Sequence, residues 1–155
     1  MRRPFILAVL LLALAPCANG PPGHWNMAGD PIPEHGQQYI QAAEELASCR
    51  LDSGWGGVIT FYPAPFLCGF RGDPKPGRLC NGTSWTHVIN INALEGSLDG
   101  VTPNLPATTL AYELANAMGT DCWPRSYQEG VWTNEMTARI IVLAEELIAN
   151  LPPAP

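Results

Sequence analysis

The chain reads as an α+β domain, and three observations lead there. Two β-branched or aromatic runs, residues 58–62 and 85–92, are set among three stretches of helical spacing. The 155 residues suffice for one domain with a real core and are too few for two ordinary ones. Glycine and proline together account for 31 positions, so long loops must join the elements, and five cysteines are at hand to brace them.

The first element stands apart from the fold. Met1-Arg2-Arg3 is a short cationic start, followed by an apolar run from Phe5 to Ala15 and by small or turn-forming residues to Gly20. That run is too short to span a bilayer and has the three regions of an export signal, so residues 1–20 are set aside as a signal peptide. Residues 14–17, Leu-Ala-Pro-Cys, resemble a bacterial lipobox in which Pro16 replaces the usual small residue. Cys17 is then the candidate lipid-bearing residue. Ordinary cleavage near Ala18 or Gly20 removes the same cysteine.

Residues 21–36 are rich in proline and glycine and read as an extended leader that contains His24 and His35. The domain proper is expected over residues 37–151. From Gln37 to Cys49, Ile40, Ala43, Leu46 and Ala47 recur at helical spacing, with Glu44 and Glu45 facing outward. Gly54 to Gly57 breaks that helix, and Val58-Ile59-Thr60-Phe61-Tyr62 is a strand closed by Pro63 and Pro65. The second strand, Trp85 to Asn92, places His87, Ile89 and Ile91 on one face and Val88, Asn90 and Asn92 on the other, whose polar groups need partners. The two strands are expected to pair in one short sheet, packed on a central helix at 107–118 and a C-terminal helix at 134–150. Gly119 stops the central helix, and Thr133 is placed to cap the last one. Met136, Ile140, Leu143, Leu147 and Leu151 form its buried stripe, and residues 152–155 are a tail.

Charge removes two classes of partner. The formal charge is −6, and two of the eight basic residues are Arg2 and Arg3. An acidic chain without a basic run cannot neutralise phosphates, which excludes nucleic acid and leaves a membrane reachable only through a lipid anchor. Once Cys17 is removed or lipidated, Cys49, Cys68, Cys80 and Cys122 remain, an even set suited to two disulfides in an oxidising compartment. Of the three connectivities, Cys68–Cys80 is preferred because it closes a loop that could not pack by itself, a bridge worth roughly 3 kcal/mol in the chain-entropy model. That pairing leaves Cys49 with Cys122.

The central helix carries the chemistry. On a helical wheel Thr109, Tyr112, Glu113 and Asn116 form one polar sector beside the apolar half. The run Thr109-Leu110-Ala111-Tyr112-Glu113-Leu114-Ala115-Asn116-Ala117-Met118-Gly119 resembles the active-site helix of zincin metallopeptidases, T-L-x-H-E-L-x-H-A-x-G. The resemblance implies a small zincin-like domain in which Tyr112 and Asn116 stand at the two histidine ligand positions and Glu113 at that of the general base. It also implies Glu135 as the counterpart of a glutamate third ligand. A phenol and a neutral carboxamide are poor zinc donors, so the implied site is degenerate and the cofactor expectation is none.

Two functions follow from these residues. One is an exported protein of the cell envelope or periplasmic side that has lost zinc and catalysis and binds a protein or peptide in the former cleft. The other is an active hydrolase with a rearranged site, in which Glu113, Glu135 and His87 hold a metal or Glu113 works as an acid/base without one. Arg71-Gly72-Asp73 resembles an integrin-binding tripeptide, and Asn81-Gly82-Thr83 is a glycosylation sequon that matters only in a eukaryotic host.

Overall fold

The computed structural model describes residues 24–47, 55–68, 78–85, 87–97, 103–118 and 129–153. The export signal with Cys17, the Arg71-Gly72-Asp73 tripeptide, Cys49 and Cys122 lie outside the described residues. The fold is α+β, with a four-stranded mixed sheet and three helices.

The first strand, β1 (Trp25–Gly29), lies within the expected leader. It is followed by α1 (Gly36–Leu46) and then β2 (Gly57–Tyr62), which pairs parallel to β1. A short hairpin of β3 (Phe66–Cys68) and β4 (Arg78–Cys80) leads to β5 (Gly82–Trp85) and β6 (Val88–Asn92). The single strand expected from Trp85 to Asn92 is therefore the end of one strand and the whole of the next. A second two-stranded ribbon, β7 (Gly96–Ser97) with β8 (Pro103–Asn104), precedes α2 (Pro106–Met118) and α3 (Glu129–Ala149).

The sheet order is β1-β2-β6-β5, with β6 parallel to β2 and β5 antiparallel at the edge. The expected pairing of the two central runs is present, Val58 opposite Val88 and Phe61 opposite Ile91. Their close approach requires glycine at 57: a Cβ there would lie 2.0 Å from the His87 carbonyl oxygen. A side chain would push the two strands apart where Val58 N–H donates to that oxygen at 3.0 Å.

One core joins the layers. Ile59, Phe61, Ile89 and Ile91 project from the sheet onto Ile40 and Ala43 of α1 and Leu110, Leu114 and Met118 of α2. The main neighbours of α3 are α1 and α2, not the sheet, and it closes the core from the far side through Met136, Ile140 and Ala144. The apolar stripe of α3 ends earlier than expected, since Leu151 lies beyond the helix and is 42% exposed.

Two local expectations are corrected, and a third is left open. Thr133 does not cap α3, because the helix begins at Glu129 and Thr133 is buried inside it. Glu44 does not face outward: its carboxylate accepts from the Trp25 N–H at 2.9 Å and from His24 Nδ1 at 3.3 Å, so it fastens α1 to the start of β1. The expected disulfide staple is not shown as a pair. Cys80 is disulfide-bonded, while the side chain of Cys68 lies outside the described residues, as do Cys49 and Cys122.

Candidate functional site

The polar sector of α2 is placed by what covers it. Leu110, Ala111, Leu114, Ala115 and Met118 turn fully inward, which fixes the rotation of the helix. Thr109 and Glu113 then fall against the edge strand β5, while Asn116 reaches α3. Only Gly82 allows β5 to come so close, because a Cβ there would sit 2.6 Å from Glu113 Oε1 and 2.9 Å from Thr109 Cγ2. As a result Glu113 is 7% exposed, whereas Tyr112, on the outer side of the same arc, is 40% exposed.

Beneath β5 the Glu113 carboxylate is held by two neutral donors, the Ser84 hydroxyl of β5 and the Asn116 side chain one turn further along α2. Burial is the larger influence and raises the Glu113 pKa above its ordinary value, and the two hydrogen bonds oppose it only in part. Asn116 is engaged on its other side as well: its Oδ1 accepts from Thr133 Oγ1 of α3 at 3.2 Å. Thr133 in turn offers its carbonyl to Thr137 Oγ1 at 2.7 Å. A continuous line of hydrogen bonds thus crosses the molecule from β5 through α2 to α3. No protein-family model, curated protein or solved structure matches this chain.

The other residues singled out in the sequence do not join this line. Glu135 is exposed and sits two residues, or about 200°, round α3 from Thr133, the residue that meets Asn116. Its carboxylate therefore points away from Glu113. His87 is at the opposite end of β6, exposed, with Nδ1 donating to the Gly56 carbonyl at 2.8 Å. Expected on the face of Ile89 and Ile91, it instead precedes β6 and is exposed, whereas those two are fully buried. Among the described residues no three His, Cys, Asp or Glu side chains come together to hold a metal, so Glu113, Glu135 and His87 are not assembled. The groups that do meet, the Asn116 carboxamide and the buried Glu113 carboxylate, are not a zinc donor set.

A second polar cluster, one turn nearer the start of α2, answers the question posed by the polar face of β6. Asn92 Nδ2 donates to Asn81 Oδ1 at 3.0 Å, and Asn92 Oδ1 accepts the Leu94 N–H at 3.1 Å. Asn104 Nδ2 donates to the carbonyls of Asn92 and Leu94, and its Oδ1 accepts from Thr109 Oγ1 at 2.9 Å. Asn90 Nδ2 reaches Thr83 Oγ1 at 3.3 Å. Sequence reasoning did not find Ser84, Gly82, Asn104 or the role of Thr133. The one available signal was the unpaired polar face of residues 88–92, which demands acceptors and donors without naming them. Asn81, the sequon residue, is engaged through its side-chain oxygen in this cluster.

Proposed function

We propose that this chain is an exported, metallopeptidase-like binding protein that has lost both metal and catalysis. The observation that supports this most directly is the bonding of Asn116. At the position where the zincin pattern has its second histidine, this side chain links Glu113 to Thr133, a structural use that favours loss of the ligand role. Glu113, at the general-base position, lies under β5 with two donors on its carboxylate, a buried and engaged state that disfavours work as a base on water. The ligand is a protein or peptide segment that lies along the edge strand β5, and the exposed aromatic Tyr112 of α2 is a second contact for it. The protein works outside the cytoplasm, released or anchored through Cys17, and two disulfides, Cys68–Cys80 and Cys49–Cys122, brace it. Peptide mapping without reduction should recover those two linkages, and a Cys49–Cys68 peptide would refute them.

Zinc content tests the central claim. The wild-type protein should bind no stoichiometric zinc and cleave no peptide library, whereas Tyr112→His with Asn116→His should gain a two-imidazole site next to Glu113 and measurable zinc affinity. Wild-type protein isolated with one tight zinc per chain would overturn the proposal. A double variant that remains folded and gains no zinc would show that α2 is not descended from a metal-binding helix. Peptides selected against the wild type should lose affinity for Tyr112→Ala, and unchanged affinity would remove Tyr112 from the proposed binding surface.

A further inference from the structure

At the other end of α2, a cavity of about 350 Å³ opens between the loop after β1, the segment after β6 and the first helical turn. That is within the roughly 300–1,000 Å³ of small-molecule sites, toward the lower limit. Its walls are stiff, because Pro31, Pro33 and Pro106 have fixed φ, and Tyr39 of α1 adds an aromatic side. Among the described residues, the ionisable groups on the lining other than Tyr39 are Glu34 and Glu95, and no lysine, arginine or histidine lines the cavity.

We infer that this cavity binds a small organic cation, an ammonium group carried on an apolar or aromatic frame. The frame replaces water against the proline rings, and the ammonium meets two carboxylates and an aromatic wall, the combination that selects a cation over a neutral molecule of the same shape. Two local charges oppose it, and both are smaller. The N-terminus of α2 contributes about half a positive charge, against two full negative ones. His35 Nε2 lies 3.6 Å from Glu34 Oε1 and competes for that carboxylate only when protonated. Because Glu34 and Glu95 are exposed, the selectivity is modest and the binding weak. None of these residues belongs to the Glu113 line, so the inference stands or falls separately from the proposed function.

Titration of the full chain at neutral pH with phenethylammonium, 2-phenylethanol and phenylacetate, followed by methyl NMR shifts at Ala93 and Ala107, is the test. Phenethylammonium should give saturable shifts at both alanines and bind most tightly, the alcohol more weakly, and the anion least. Glu34→Gln and Glu95→Gln should each weaken the amine about two- to fivefold, as expected for exposed ion pairs, and together should reduce it to the affinity of the alcohol. Equal affinity for amine and alcohol in the wild type, tightest binding of the anion, or no saturable shift would overturn the inference. So would glutamine variants that lose stability yet bind the amine unchanged, since the carboxylates would then serve only the dipole of α2.

Discussion

Two polar clusters flank α2 one helical turn apart, and they solve the same problem with different chemistry. Around Asn92 and Asn104, each 2% exposed, every partner is neutral and both side-chain amides are used on both ends. Around Glu113 a carboxyl group that can carry a full charge is buried to a similar depth with neutral donors alone. A satisfied neutral cluster rigidifies and specifies a fold at no electrostatic cost, whereas a buried carboxylate without a cationic partner raises its own pKa and makes stability depend on pH. The contrast separates a joint whose stability is indifferent to pH from one whose stability is not.

The neutral cluster should show the larger mutational effect. Asn104→Leu removes the donor to two carbonyls and the acceptor for Thr109, so one buried carbonyl and two partly buried groups lose a partner, at about 1–3 kcal/mol for the buried one and about 1 kcal/mol for each of the others. A loss of about 3 kcal/mol or more in urea unfolding is expected, of the same size at pH 5 and pH 7. A loss that varied with pH would mean that the two clusters are coupled and that the division between them is artificial.

Gly82→Ala comes next, because it acts where β5 covers Glu113. The new methyl group would meet Glu113 Oε1 and Cγ and Thr109 Cγ2 below 3.0 Å, and overpacking of this kind costs about 1–3 kcal/mol. In a Glu113→Ala background most of that cost should vanish, leaving the part due to Thr109. A double-mutant cycle with no coupling would show that β5 does not lie on Glu113. Thr133→Val is smaller again: it keeps the volume and deletes the hydroxyl that Asn116 accepts, for a loss of about 1 kcal/mol. Asn116→Ala in the same background should then add less than it does in the wild type.

How much of this could be read from the sequence depends on how local each cause is. The runs at 58–62 and 88–92 and the three helices carry their own periodicity, and all appear. β1 does not: Trp25-Asn26-Met27-Ala28-Gly29 has neither alternation nor β-branched residues, and it is a strand because the edge of β2 and the carboxylate of Glu44 hold it. The polar sector Thr109, Tyr112, Glu113 and Asn116 was legible from the helical wheel alone. The burial of Glu113 was not, because that depends on Gly82 and Ser84, some thirty residues earlier, and on the division of β5 from β6 where the sequence read one continuous strand. The misplaced start of α3 had the same origin, since a threonine before an apolar stripe looks like a cap until the helix is found to begin a turn earlier.

The smallest expected effect is the one that isolates the charge. Glu113→Gln keeps the shape of the side chain, leaves its carbonyl oxygen to accept from Asn116, and lets the Ser84 hydroxyl rotate to accept from the new amide. Since the folded pKa of Glu113 is raised above the ordinary value of about 4.5, the folded protein binds that proton more tightly than the unfolded chain. The stabilisation tied to the protonated carboxyl is therefore complete below pH 4.5 and is lost as the pH rises through the folded value. Wild type and Glu113→Gln should unfold at nearly the same urea concentration in acid, and the variant should become the more stable of the two as the pH rises. Asn104→Leu, by comparison, should run parallel to the wild type across the same range. A glutamine variant that is less stable at neutral pH than in acid, relative to wild type, would mean that the Ser84 and Asn116 hydrogen bonds outweigh burial and that Glu113 is ionised in place. The second cluster would then be as well satisfied as the first.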